Sequence, residues 1–223
     1  MQIGMLLFPK LTQLDLTGPH EILARIPGAT TYLVAKTREP VVSESGLTIL
    51  PNATFGDLPR VDLVFAPGGF GQIAATDDAE TVAWVRAVGA SARWVTSACT
   101  GSLLLGAAGL LEGYRAATHW AYMDLLPLVG AIPEPQRVVV DRNRITGGGV
   151  TAGIDVALRI AAEVCGREVA EQIQLQLEYH PDPPLGAGHP DVAPPAQVAR
   201  ARELLAGRHA QRKAQLDKLR AVR

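Results

Sequence analysis

Short apolar runs alternating with helix-patterned stretches constrain this chain more than any other feature. Ile3–Phe8, Thr31–Ala35, Val61–Ala66 and Arg93–Ser97 read as strands. Continuous apolar runs of this length suit strands buried on both faces. Helical patterns follow to about Ile26, over Ala79–Ser91, and from Cys99 to about Ala108. Val41–Leu50 holds one or two short strands interrupted at Ser45-Gly46. His119–Leu126 reads as helical. Val138–Asp141 and Asn143–Thr146 read as strands around a tight turn. Helices are expected from Thr151 to Val164, over Glu168–Tyr179 and over Ala196–Ala221, with a proline-rich loop at His180–Pro195. The alternation predicts an α/β fold, a doubly wound, mostly parallel sheet with helices on both faces.

That architecture says where chemistry belongs. Ligands of such sheets bind outside the carboxyl ends of the strands. Right-handed crossovers bring those ends to one side. Three unusual turns follow strands here: Asp15 in Asp15-Leu16-Thr17-Gly18-Pro19, the loop Pro67-Gly68-Gly69-Phe70-Gly71, and Cys99. They are expected to converge although they are far apart in sequence.

Ser97-Ala98-Cys99-Thr100-Gly101 is the most informative of the three. A strand runs directly into a helix with a cysteine at the corner and small residues around it. The G-x-S-x-G nucleophile elbow follows the same logic. The helix dipole and its free N–H groups are expected to favour the thiolate and lower the thiol pKa. Cys165, the other cysteine, ends a helix without such a turn and reads as structural. Asp15 has two open readings: a carboxyl sharing one proton with the cysteine, or a helix cap. Thr17 competes for the cap, with Pro19 expected in the first turn. The Gly68-Gly69 loop can present backbone N–H groups to an anion or simply reverse the chain. Gly147-Gly148-Gly149 is open in the same way. His119 suggests a Cys–His pair, but a lone histidine is more often structural. No dinucleotide fingerprint, P-loop or metal-ligand spacing is present in the sequence.

Composition narrows the class. The 223 residues are 48% hydrophobic and 19% charged, with a net charge of −1, which gives no support to whole-chain nucleic-acid binding. Two cysteines exclude a disulfide scaffold and favour a reducing compartment. The N-terminal apolar run stops at Pro9 and lacks a basic flank, so neither a signal peptide nor a membrane span is expected, and a cytoplasmic protein is. Charge is uneven: Arg200 to Arg223 carries eight Lys or Arg against two acids, a net of +6 that leaves −7 on the rest. Interleaved Leu204, Leu205, Leu216 and Leu219 favour an amphipathic helix on the body or on a second subunit over a nucleic-acid arm.

These segments together resemble the ThiJ/PfpI superfamily of flavodoxin-like proteins, and within it the isocyanide hydratases. Gln13–Pro19, Ala66-Pro67-Gly68-Gly69, Thr96–Ser102, Ala117–Tyr122, Thr146–Asp155 and Gln174–Tyr179 carry the resemblance. Many superfamily members place Glu where the hydratases, like this chain, have Asp. The resemblance implies residues 1–195 as a catalytic domain and residues 196–223 as a C-terminal basic amphipathic helix. It also implies a homodimer that adds water to an isocyanide, R–N≡C, to give an N-formamide without a cofactor or metal. Cys99 is then the nucleophile, Asp15 the acid/base and Thr100 a neighbouring hydrogen-bonding group. Gly69, Gly148, Val150 and His119 are expected around the substrate or intermediate. Regulators that fuse this domain to a helix-turn-helix module share some segments, but after Tyr179 only a loop and one helix remain. Competing expectations are a glyoxalase-like or amide-hydrolysing enzyme using His119 as base, and an oxidative-stress sensor in which Cys99 is oxidised without turnover.

Overall fold

The computed structural model describes residues 1–222; Arg223, the last residue of the basic tail, lies outside them. The first half of the chain runs β1 (Gln2–Leu6), α1 (Gln13–Leu23), β2 (Thr30–Ala35), β3 (Val41–Val42), β4 (Thr48–Ile49), β5 (Ala53–Thr54), β6 (Leu63–Ala66), α2 (Gln72–Asp77), α3 (Ala79–Ser91), β7 (Trp94–Ser97) and α4 (Gly101–Ala107). Then come β8 (Arg115–Ala116), a 3-10 helix (Trp120–Val129), β9 (Ile132–Pro133), β10 (Val138–Asp141), β11 (Arg144–Gly147), α5 (Ala152–Cys165), α6 (Arg167–Gln176) and α7 (Pro195–Val222).

Among the described residues the main sheet has seven strands in the order β10-β11-β7-β6-β1-β2-β5. All its pairings are parallel except β10–β11. Ile3, Met5 and Leu6 on β1, with Leu63, Val64 and Phe65 on β6, are completely buried. Burial on both faces explains their uninterrupted apolar sequence. The chain winds outward from β1 in both directions, to β2 on one side and to β6 and β7 on the other. The crevice between β1 and β6 is the topological switch point at which such sheets bind ligands. Helices α1 and α5 pack together, as do α3 and α4.

Several local expectations change. Helix α1 begins at Gln13 behind Thr12, so neither Asp15 nor Thr17 caps it. The Thr17 hydroxyl instead bonds Gln13 Oε1 at 2.8 Å. Pro19 lies inside α1 rather than in its first turn. Its ring supplies no N–H to the carbonyl of Asp15, one turn earlier. The stretch expected as a helix at His119–Leu126 is a 3-10 helix with His119 as its cap, and α6 stops at Gln176 instead of Tyr179. The short strands β5, β8 and β9 and the helix α2 carry too few residues to show a period, and the sequence pattern does not reveal them.

Helix α7 packs on the 3-10 helix and α2 of its own chain. Leu216 is buried there, whereas Leu204 is largely exposed. The side chains of Gln215 and His209 fasten the helix to Ile73 O and Asp124.

Candidate active site

Backbone hydrogen bonds bring two of the three strand-end turns together. Thr12 N donates to Gly68 O at 3.0 Å, and Gly71 N donates to Lys10 O at 2.9 Å. The loop after β1 is thereby stitched to the loop after β6. Gly69 makes this possible: its φ is +126°, and a Cβ there would lie 2.3 Å from Thr12 N. A side chain is excluded on both counts.

The third turn is the corner between β7 and α4. Cys99 has φ +53°, a left-handed conformation that costs a non-glycine residue about 1–3 kcal/mol. Its surroundings hold it there. Cys99 N donates to Gly148 O at 2.9 Å. Cys99 O accepts from Thr118 Oγ1 at 2.9 Å and from Ser102 Oγ at 3.1 Å. The small residue after the corner is obligatory, because a Cβ on Gly101 would sit 2.0 Å from Ala66 O. Close approach of α4 to β6 is what aims the start of α4 at the sulfur.

Asp15 is fully buried, and Gly68 N donates to its Oδ2 at 3.0 Å. The other carboxyl oxygen, Oδ1, is buried without a hydrogen-bond partner among the described residues, and the carboxyl interacts electrostatically with the Cys99 thiol. Backbone N–H groups of Thr100 and Val150 point at the same sulfur. The Thr100 hydroxyl accepts from Gly69 N at 3.2 Å and so locks the glycine loop to the corner. The structure therefore assembles Cys99, Asp15, Thr100, Gly69, Gly148 and Val150, all expected from sequence. Gly69 N–H is used by Thr100, and the donors that face the sulfur are Thr100 and Val150.

Electrostatics correct one expectation. Burial, followed by the neighbouring Asp15 carboxyl, pushes the Cys99 thiol well above its ordinary pKa, although the Thr100 and Val150 N–H groups act the other way. The helix terminus is present, as expected, but desolvation outweighs it. Burial likewise raises Asp15 to about 7, against the Cys99 thiol and the hydrogen bond from Gly68, which favour the carboxylate, and with added repulsion from Glu44. Above neutrality the pair holds one negative charge and one proton, and it titrates as a unit.

His119 is turned elsewhere. Its Nδ1 accepts from Ala121 N at 3.2 Å, and its ring abuts Gly149. Burial, with the Arg212 cation nearby, lowers its pKa to about 4, so the imidazole is neutral at physiological pH. Together with Thr118, Trp120, Met123, Gly148 and Val150 it lines a cavity of about 450 Å³. Thr118, Gly148 and Val150 are shared between that cavity and the contacts of Cys99. Cys165 is half-buried at the end of α5, away from these groups in sequence and fold.

Sequence reasoning missed Arg212, Tyr122 and Gln72. Arg212 comes from α7 and is only 1% exposed. Its Nε donates to Gln72 Oε1 and its Nη2 to Gly69 O, both at 2.8 Å. Its guanidinium carbon lies 4.4 Å from the centre of the Tyr122 ring. A signal exists: Leu205, Arg212, Leu216 and Leu219 share one helical face with His209, so Arg212 occupies a position on the face the leucines bury. Among the described residues no group of three or more His, Cys, Asp or Glu could hold a metal ion, and no helix is long and apolar enough to cross a membrane.

Known proteins show the same architecture. The model of the DJ-1/PfpI family matches residues 1–163. Isonitrile hydratase of Pseudomonas putida is 54% identical over 203 residues, 91% of this chain and 89% of that enzyme. The HTH-type transcriptional regulator GbdR of Pseudomonas aeruginosa is 31% identical over 187 residues, 79% of this chain but 50% of the regulator. A ThiJ/PfpI family protein from Pseudomonas syringae superposes with a TM-score of 0.94 at 48% identity, over 96% of this chain and 90% of that one. Shared sequence along nine-tenths of the chain, and a shared fold over nearly all of it, lead to one conclusion: this chain belongs to the DJ-1/PfpI family.

Proposed function

We propose that the protein is an isocyanide hydratase that works through a covalent cysteine thioimidate. The substrate class rests on the 54% identity with isonitrile hydratase across most of both chains. The chemistry rests on one observation: a buried acid, Asp15, beside a buried thiol at a strand-to-helix corner, with its pKa raised to about 7. A carboxyl poised near neutrality gives and takes protons with equal ease.

The terminal carbon of an isocyanide needs both a proton and a nucleophile. Cys99 Sγ forms a bond to that carbon while the proton held by the Cys99–Asp15 pair passes from Asp15 to the same carbon. The product is the thioimidate R–N=CH–S–Cys99. Asp15, now a carboxylate, takes a proton from water as the water oxygen bonds to that carbon, and hands it to the imine nitrogen. The resulting R–NH–CH(OH)–S–Cys99 breaks its C–S bond, and the electron pair leaves on sulfur. The hydroxyl proton returns to the Cys99–Asp15 pair and the formamide R–NH–CHO departs. The sequence balances with water alone, and covalent catalysis divides one difficult addition into two easier ones. Thr100 and Val150 N–H groups stabilise charge on the sulfur as it forms and leaves. Thr100 Oγ1 and Gly69 keep the loop that presents Gly68 N–H to Asp15. The cavity beside Trp120, Met123 and Val150 offers an apolar wall to the R group, with Gly148 and His119 at its edge.

A glyoxalase-like or amide-hydrolysing reading needs a histidine base at the cysteine, and His119, with its pKa lowered to about 4 and its Nδ1 lone pair taken by Ala121 N, is a weak base. The test is direct. Purified protein incubated with cyclohexyl isocyanide is expected to consume it and release one equivalent of N-cyclohexylformamide, followed by mass spectrometry. Methylglyoxal and a simple amide are expected to remain unchanged under the same conditions. Turnover of either, with the isocyanide left intact, overturns the assignment.

A further inference from the structure

Arg212 is a buried cation with no acidic partner in ordinary reach. Its hydrogen-bond acceptors are an amide oxygen and a carbonyl oxygen, both neutral. None of the ion pairs among the described residues includes it. Taking a guanidinium out of water without a counter-charge is costly. The fold nonetheless carries it on the C-terminal helix to the loop next to the cysteine and binds it to the carbonyl of Gly69. Gly69 N is the group that holds Thr100, and Gly68 N is the group that holds Asp15.

We propose that Arg212 is the buried counter-cation of the Cys99–Asp15 couple and the positioning residue for the Gly68-Gly69 loop. On this view α7 is part of the active site rather than a basic appendage. The couple supplies the one negative charge that a guanidinium in this place requires. The other charged or titratable groups around it do not. Tyr122, from the 3-10 helix, is pushed up by burial and stays neutral. His119 is also neutral. Arg208, one turn earlier on α7, is another cation, seated over the Phe70 ring. Glu44 bonds the Thr12 hydroxyl and Phe70 N with its two oxygens and makes no ion pair with Arg212. Burial lowers the Arg212 pKa, while attraction first to Tyr122 and then to the Cys99 anion acts to keep the guanidinium charged. The cation therefore offsets part of the burial that holds the thiol high.

This inference builds on the cysteine's role in the proposed reaction, but its test needs no isocyanide. In a Cys165→Ala background, the rate of Cys99 alkylation by iodoacetamide is measured across pH for the parent, Arg212→Met and Arg212→Lys. Removing a neighbouring opposite charge moves a pKa by about one to three units. Higher basicity returns some nucleophilicity, so alkylation at pH 8 is expected to fall about 3- to 30-fold in Arg212→Met, with the titration midpoint displaced upward. Arg212→Lys, which keeps the charge but not the planar fork, is expected to retain most of the parent midpoint. Where Arg212→Met does not fold, Arg212→Gln, which keeps a donor for Gly69 O, makes the same comparison. A folded neutral variant with the parent's alkylation profile overturns the proposal. So does an Arg212→Lys midpoint displaced as far as that of the neutral variant, since packing rather than charge would then be responsible. Loss of isocyanide turnover with an intact alkylation profile is a failure of this inference alone. Absence of turnover in the parent is a failure of the hydratase reading alone.

Discussion

Cys99→Ala is expected to abolish isocyanide hydration, with kcat reduced by at least about 10⁴-fold, the scale on which loss of a covalent nucleophile is felt. Cys165→Ala is expected to leave the rate within about twofold. The contrast follows from position. Cys99 is held in a left-handed conformation by bonds from its own N and O and faces two backbone N–H groups and a carboxyl. Cys165 terminates α5 with none of these features. Alanine tolerates the corner about as well as cysteine does, so both variants are expected to keep the parent's far-UV circular dichroism. Steady-state formation of the formamide, measured on folded protein, is the check. Equal loss in the two variants would mean that the corner has no special chemistry.

Asp15→Asn is expected to move activity and stability in opposite directions. Without a proton to give and take, kcat falls by about 10²–10⁴-fold, the usual contribution of a general acid–base. Asparagine has the same shape and still accepts from Gly68 N. The stability effect follows from proton linkage. The native pKa of about 7 lies above the ordinary 3.8. The native state therefore binds the proton more tightly than the unfolded chain does. The associated stability is complete below the unfolded pKa and is lost as pH rises through the native one. The gap corresponds to roughly 4 kcal/mol. Relative to the parent, Asp15→Asn is expected to gain stability progressively from about pH 4 to pH 8, up to a few kcal/mol. Urea unfolding of both proteins at several pH values reads this difference, and other carboxylates cancel in the comparison. A stability difference that does not grow with pH contradicts a carboxyl raised by burial, and parent-level activity in the variant removes Asp15 from the proton transfers.

The groups legible in the sequence share one property. Asp15, Gly68, Gly69, Cys99 and Thr100 each follow a buried strand, and parallel strands must end on one side of their sheet. Gly148 lies in a glycine run and Val150 directly follows it; such a run marks a close backbone approach without saying to what. Cys99 N and Sγ are what they approach. Arg212 was hidden because a count of charges treats every tail arginine alike. Its partners Gln72 and Gly69 lie 140 and 143 residues away, and no local pattern connects them. The sign of the Cys99 shift was hidden for a related reason. A helix terminus is visible in the sequence, whereas the depth at which tertiary packing buries it is not. Asp15 looked like a cap because Pro19 usually belongs in a first turn. The helix in fact begins earlier, and Asp15 is carried inside it to face the sulfur.

The covalent step is the centre of the account, and acid-quenched intact-protein mass spectrometry during the first turnovers of an aryl isocyanide tests it most directly. The predicted result is a transient mass increase equal to one isocyanide, located by peptide mapping on Cys99 and gone when substrate is exhausted. An adduct confined to Cys165 while formamide continues to form would contradict it.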